Sequence, residues 1–524
     1  MADPISFEEL NFKTVASMDE THGRPEHETP FRICIMGDFS GRANRGIADS
    51  SSSRANLQPI EVDRDNIEEV MEKLGVKAHL SVSGAVGTPI TARFSELDDF
   101  HPEQLYARLE VFQTLRDARK RLNDPHSFES AKNEVRNWIR AVETPQHIKP
   151  ESEQSTPSPA APGKTSGSLL DQIVEEAKES HPDMKTVSEP SQWDSFMQSI
   201  VGPYLVPNRD PEQDELIAAV DASISGLMKK ILHHPDFQAL ESAWRALRFL
   251  VYRMETTALL KVYLLDISKD ELAADLNGSD DLRKTVAYRL FVEQAVGTPG
   301  GEPWAVLAGN YIFDQNREDV EIMGRMAIVG RLAGAPFISG VHDHILGCES
   351  LSDTPHPDDW RRPVDPENNR IWKVLRSISD ASYLGLALPR FLLRLPYGKN
   401  TDPVNYFDFE EIPDSPAHDE YLWGNPAFIC ALLLAQSFSH DGWDLRPGSI
   451  QNIQGLPLHV HKEQGESVTK PCSEVVFTEK ALEKILALGV MPVLSYKNRD
   501  SVRLARFQSV ADPLTQLKGR WKSH

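Results

Sequence analysis

Residues 144–167 read TPQHIKPESEQSTPSPAAPGKTSG, with prolines at 145, 150, 157, 159 and 162 and almost no apolar side chain. Such a stretch cannot bury enough surface to offset the entropy of ordering it, so it is predicted to be a disordered linker. It forces a division. A chain of 524 residues is already longer than one ordinary hydrophobic core, and the linker sets a shorter part before a longer one. The predicted organisation is a polar N-terminal segment (1–30), a first domain (31–143), the linker (144–167), a solitary amphipathic helix (168–182) and a second domain (183–524).

Hydrophobic periodicity fills in both parts. In the first, FRICIMGDF reads as a buried strand closed by a turn at SGRANRG, and LNFKTVA as an isolated strand ahead of it. NIEEVMEKLG is a helix with Asn66 as N-cap and Gly75 as its stop. AHLSVSG and ITARFSEL alternate as a half-buried hairpin does. HPEQLYARLEVFQTLRDARKRLN reads as one long helix, with Leu105, Leu109, Phe112 and Leu115 in a stripe that needs a partner. In the second part, HHPDFQALESAWRALRFL places Phe237, Leu240, Trp244, Leu247 and Leu250 on one helical face. Strands such as LKVYLLDIS, WAVLAGNYIF and GVMPVLSYK alternate with helices. The predicted class is α/β (mixed α+β), in two halves whose apolar stripes pack on each other.

Composition narrows the partners. With 56 basic against 78 acidic residues the net charge is −22, which disfavours nucleic acid and anionic membranes. The four cysteines, Cys34, Cys348, Cys430 and Cys472, form neither a disulfide framework nor a zinc ribbon and suit a reducing compartment. The N-terminus shows no signal-peptide pattern, and AFICALLLAQSF is too short for a bilayer span. A cytoplasmic protein is expected.

Chemistry is sparse. Gly163–Lys164–Thr165 resembles the end of a phosphate-binding loop, but Ser158 stands where that loop has glycine and no strand precedes it. The glycine-rich VGTPGGEPW lacks fingerprint spacing and reads as a turn. His342 with His344, and His459 with His461, would each share a strand face if extended, so a metal-binding protein or an enzyme using these pairs is the alternative reading. Asp63, Arg64 and Asp65 read as a turn and helix cap, and Trp423–Gly424–Asn425–Pro426 as a turn into a buried helix. No GxSxG or HExxH motif occurs. No catalytic set and no cofactor-binding pattern emerges, which favours a structural role.

Two groups of segments carry a resemblance. RICIMGDFSGR, IEVDRDNIEEVM and FSELDDFHPEQLYARL resemble the small sheath subunit of the type VI secretion system, the TssB or VipA family. LLDQIVEEA, ILHHPDFQALESAWRALRFLV, LLDISKDELAADL, GTPGGEPWAVLAGNYIFD, LGLALPRFLLRLPYG, YLWGNPAFICA and KPCSEVVFTEKALEKILALGVMPVLSYKN resemble, in order, the large subunit, the TssC or VipB family. The resemblance implies a fusion of two sheath subunits, with the linker as the joint. It implies a structural, non-enzymatic role in a contractile sheath around an inner tube, with other sheath subunits, the tube protein, a ClpV-like AAA+ recycling ATPase and the baseplate as partners. It also implies inter-half packing through Leu105, Leu109, Phe112, Phe237, Leu240, Trp244 and Leu247. Family large subunits continue well past VRLARFQSVADP, so this chain is expected to lack a C-terminal segment and to serve as a cap, an initiator or an adaptor. Leu169, Leu170, Ile173 and Val174 line one face of the helix at 168–182, with Ser168 as N-cap and Asp171 completing an S-x-x-D box. By position this face corresponds to the family's ATPase-docking helix, joined to its partner helix-in-groove.

Overall fold

The computed structural model describes residues 25–46, 57–82, 90–140, 213–412, 416–463 and 465–521. The isolated strand, the linker, the Gly-Lys-Thr triplet and the helix at 168–182 lie outside these. The described residues form two compact units. One runs up to Arg116 and resumes at Ile224, and the other joins Asp117–Arg140 to Gln213–Ser223.

In chain order the first unit opens with strand β1 (Phe31–Gly37), β2 (Ile60–Val62), helix α1 (Ile67–Leu74), β3 (Val76–Leu80), β4 (Ile90–Phe94) and α2 (Pro102–Arg108); α3 (Gln113–Asn123) runs across the boundary at Arg116, and α4 (Phe128–Arg140) lies in the second unit. Beyond the linker come α5 (Gln213–Leu232), α6 (Pro235–Tyr252), β5 (Leu260–Asp266), α7 (Lys269–Asn277), β6 (Trp304–Phe313), α8 (Arg317–Ala333), β7 (Phe337–Val341), α9 (Pro366–Ser377) and β8 (Leu384–Leu388). The remainder holds β9 (Phe391–Leu392), β10 (Trp423–Gly424), α10 (Ala427–Asp441), β11 (Asn452–Ile453), β12 (His459–Glu463), β13 (Glu466–Lys470), α11 (Glu479–Ala487), β14 (Val490–Ser495) and β15 (Val502–Leu504).

Nine strands make the main sheet, in the order β11-β15-β14-β8-β7-β6-β1-β5-β2. From β14 to β5 every pairing is parallel, and β2, β15 and β11 add antiparallel edges. Numbered among themselves, the parallel strands run 2-1-3-4-5-6 from β5 to β14, a doubly wound order whose switch point lies between β1 and β6. A strand with neighbours on both sides and helices above and below must be apolar almost throughout. β1 obeys this: Phe31, Ile33, Cys34, Ile35 and Met36 are fully buried. Arg32, the exception, lays its guanidinium over the Trp304 ring at 4.0 Å and the Tyr263 ring at 4.7 Å.

Local signals account for the smaller elements. Gly75 ends α1 at φ 61°, a left-handed cap. Asn66 stands at its N-cap, but its side chain turns back, accepting from the Asp63 N–H (2.9 Å) and donating to the Glu61 carbonyl (3.1 Å). Asp63 Oδ1 accepts from the Asp65 and Asn66 N–H groups, so this acidic run is a turn. β3 and β4 form the antiparallel hairpin. The one long helix expected from His101 onward is instead α2 and α3, broken at Leu109, where ψ is 129°. Arg116 donates to the Tyr106 and Ala107 carbonyls left open by the break, which is why the interruption is tolerated. α10 is buried on nearly every side, as a helix through a core must be.

In the second unit, Arg119 forms a two-pronged ion pair with Asp221 (2.5 and 3.1 Å), and Gln213 Nε2 donates to the Leu122 carbonyl (2.7 Å). Leu122, Ala131, Val135 and Val220 are fully buried within it.

Candidate functional site: the seam across the sheet

β1 belongs to the part before the linker, and both of its neighbours belong to the part after it. Its register runs Phe31↔Leu260 to Gly37↔Asp266 on one side and Arg32↔Trp304 to Met36↔Gly309 on the other. Adjacent strands lie about 4.8 Å apart, so without β1 the strands β5 and β6 would face each other across roughly 10 Å, with two open edges. An open edge inside a sheet leaves buried backbone donors and acceptors without partners, at a cost of about 1–3 kcal/mol each. The post-linker part therefore carries a strand-shaped slot that the pre-linker part fills.

The loop leaving β1 locks the insertion. Asp266, at the end of β5, accepts from the Phe39 N–H (2.8 Å), the Ser40 N–H (3.1 Å) and the Ser40 hydroxyl (2.7 Å). Burial pushes its carboxyl above the usual range, and these three donors pull against that. Arg42 Nε and Nη2 grip Glu271 (3.1 and 2.7 Å), whose other role is the capping box with Ser268 that starts α7. Gly41 sits at φ 74°, and a Cβ there would stand 2.1 Å from the Lys77 carbonyl oxygen, so no other residue fits.

Aromatic rings close the seam on the α6 side. Trp244 donates its indole N–H to the Phe39 carbonyl (2.7 Å) and meets the Phe39 ring edge-on at 5.4 Å. Phe237 lies 5.8 Å from Phe94 and 5.7 Å from Phe100, which stack on each other at 4.1 Å. Leu240 lies beside Gly41. Tyr106 contacts Phe407 at 5.0 Å and Phe112 at 5.7 Å, and Asn405 donates twice to Glu103. Leu105, Leu109 and Leu247 are buried. Of the packing residues singled out by periodicity, Phe237, Leu240 and Trp244 thus touch groups from the other side of the linker. Asp266, Arg42 and Glu271 were missed. Their one signal is that GDFSGR follows a buried strand directly, where a polar loop must find partners.

α6 is anchored from behind by a buried ion network. Arg394 bridges Glu241 (2.8 Å) and Glu411 (2.7 and 2.9 Å), and Arg245 pairs with Glu241 (2.6 Å) and donates to the Tyr397 hydroxyl (2.8 Å). Burial alone would raise the Glu411 carboxyl, but Arg394, His233 and the Tyr397 N–H hold it at about 2.

The histidine pairs are not brought together. His342 and His344 do not share a strand face: β7 stops at Val341, and His342 starts a 3₁₀ turn, its Nδ1 facing the His344 N–H at 3.4 Å. Their rings are 3.7 Å apart, and His344 Nδ1 pairs with Asp314 (2.7 Å). Burial, with His344 nearby, lowers the His342 pKa. His459 and His461 do stack along β12, which pairs only with β13 in a separate two-stranded sheet, and His459 Nδ1 faces the Tyr421 hydroxyl at 2.8 Å. Among the described residues, no group of three or more His, Cys, Asp or Glu side chains could hold a metal ion. Asn425, in the turn before α10, donates to the Tyr311 carbonyl (2.7 Å) and accepts from the Ala427 N–H (2.9 Å), a structural role. No helix among the described residues is long and apolar enough to cross a membrane.

Two family models match the two sides of this seam. Residues 214–511, more than half of the chain, match the VipB family, described as EvpB/VC_A0108, tail sheath N-terminal domain. Residues 16–149 match the family described as type VI secretion system, VipA, VC_A0107 or Hcp2. The chain belongs to the VipB tail-sheath family and carries a VipA-type segment ahead of it in the same polypeptide. It is also 37% identical over 307 residues to the type VI secretion system sheath protein TssC1 of Pseudomonas aeruginosa, an alignment covering 57% of this chain and 61% of that protein.

Proposed function

We propose that the chain is a structural protomer of a type VI secretion contractile sheath, with the small and large subunits fused in one polypeptide and no catalytic activity of its own. The observation that carries this reading is β1: a strand from the VipA-matching segment fills the middle of a sheet otherwise built, apart from the edge strand β2, by the VipB-matching segment. Fusion fixes a one-to-one ratio and holds the partners at an effective concentration of about millimolar. The seam residues Leu105, Leu109, Phe112, Phe237, Leu240, Trp244 and Leu247 serve as inter-half packing. Its partners in the bacterial cytoplasm are other sheath protomers, an inner-tube protein, the baseplate and a ClpV-like AAA+ ATPase that docks on Leu169, Leu170, Ile173 and Val174.

Negative-stain microscopy of the purified full chain, alone and mixed with a complete small–large sheath pair, tests the assembly role. Incorporation into sheath tubes or attachment at their ends is expected, and a chain that never associates with sheath overturns the reading. Binding of a peptide covering 165–182 to the ATPase N-terminal domain, abolished by Leu170→Asp, tests the docking face separately.

A further inference from the structure

A cavity of about 540 Å³ opens at the carboxyl ends of β6, β7 and β8, and a second of about 480 Å³ continues it, sharing Ile312, Arg390 and Asp419. Doubly wound folds bind ligands outside the carboxyl ends of their parallel strands, at the switch point; this cavity lies on that same side of the sheet, displaced from the β1–β6 switch point toward β7 and β8. The seam does not use this space, and the inference below does not depend on the sheath reading.

We propose that the cavity is a socket for a single arginine side chain carried by a segment of a partner protein. The floor is apolar, made by Ile312, Val341, Leu388 and Pro389, and suits a methylene stem. The polar wall is dominated by carboxylates: Asp343 inside, with Glu349, Asp353 and Asp419 toward solvent. The one guanidinium among the lining residues, that of Arg390, is already engaged, donating from Nε and Nη2 to Glu474 (2.9 and 2.6 Å), which His418 Nε2 also meets at 2.9 Å. Glu349 is met by Arg362 (3.2 Å) and His344 (3.5 Å), which leaves Asp343, Asp353 and Asp419 to carry the charge of the wall. The remaining lining therefore presents net negative charge to an incoming group. Asp343 is the focus. Its Oδ2 accepts a hydrogen bond from the Leu351 N–H (2.8 Å), and among the described residues no side-chain cation forms an ion pair with it, Arg390 and His418 acting on it only from a distance. Burial and the Glu474 charge raise its carboxyl to about 6, with Arg390 and His418 opposing. An anion would be repelled, and the described residues offer no metal-binding trio. A planar guanidinium brings five fixed donors, enough to serve Asp343 and a rim carboxylate together, which a point-charge ammonium does less well.

The test uses the full-length chain and two probes, N-acetyl-arginine methylamide and its neutral isostere N-acetyl-citrulline methylamide, titrated by calorimetry and by ¹⁵N-detected NMR shifts at low salt. The arginine probe is expected to saturate while perturbing amides near 341–353 and 387–390, and the citrulline probe to bind at least tenfold more weakly. Asp343→Asn, which keeps the acceptor for the Leu351 N–H, should weaken the arginine probe about tenfold, and Asp353→Asn, at the exposed rim, should weaken it less. Affinity should fall as pH drops through about 6, where Asp343 takes up its proton. Equal binding of both probes, unchanged affinity in Asp343→Asn, or no saturation by 20 mM overturns the proposal.

Discussion

Asp266 and Asp343 stand at carboxyl ends of the same sheet, and burial pushes both carboxyls upward. Asp266 answers with three donors from the β1 loop, all within 3.1 Å. Asp343 has one donor and faces a cavity. The same residue type is thus consumed by the fold where it is buried, at Asp266, and left partly unsatisfied where it is half-buried at a cavity, at Asp343. A site that holds two segments together must close all its polar groups. A site that receives something from outside keeps one open, at a cost to stability.

Breaking the seam should have the largest effect. Ile35 is fully buried at the middle of β1, so Ile35→Asp puts an unpaired charge between two parallel neighbours. Loss of more than about 5 kcal/mol is expected, read as insoluble or unfolded chain by circular dichroism. Residues 213–521 expressed alone should fail in the same way and be rescued by coexpressing residues 25–140. A soluble, cooperatively melting post-linker fragment would show that the slot closes by itself.

Phe237→Ala removes the ring that meets Phe94 and Phe100, and should cost about 3–5 kcal/mol in denaturant titrations. Asp266→Ala leaves three seam donors without their acceptor, a loss of about 2–4 kcal/mol. A loss under 1 kcal/mol would mean that water replaces the carboxylate.

Acid should weaken two buried ion networks, that of Glu411 behind the seam and that of Glu474 in the cavity wall. Glu411 and Glu474 are both held at about 2, below the ordinary carboxylate value of 4.5. A depressed folded-state value means stability that is complete above about pH 4.5 and drains as pH falls toward 2. The melting temperature should therefore drop through that window, and Glu411→Gln should flatten the drop while lowering stability at pH 7.

The smallest effect has the opposite sign. Asp343→Asn removes a carboxylate whose charged form the fold disfavours at pH 7, and should stabilise the chain by about 1 kcal/mol at pH 7 and by nothing at pH 4. A destabilised Asp343→Asn would erase the contrast with Asp266.

Much of the fold is legible in the sequence. FRICIMG, LKVYLLD and WAVLAGNYIF are apolar runs that only a doubly covered strand uses, and Gly75 and the Ser268–Glu271 box mark helix ends by local chemistry. The stripe Phe237, Leu240, Trp244 announces a buried face but not what buries it. The break at Leu109 escaped the pattern because Arg116, which satisfies the freed carbonyls, acts from beyond the break. Whether His342 and His344 share a strand face stays open in the sequence for a related reason: whether β7 ends before or after them depends on where β6 and β8 stop. Asp266 could not be picked out among 78 acidic residues, because its distinction is the loop that reaches it from more than two hundred residues away.

What the sequence determined by itself is therefore local: which runs become strands and helices, where many of them end, and that two parts of different character share one chain. Family likeness came from the order of those runs. Only the tertiary structure decided that β1 enters between β5 and β6, that Asp266 closes the entry and that Asp343 stays open. The reason is physical. Periodicity and capping act over a few residues, whereas strand order, the pairing of buried charges and the shape of a cavity depend on which distant segments displace water from one another.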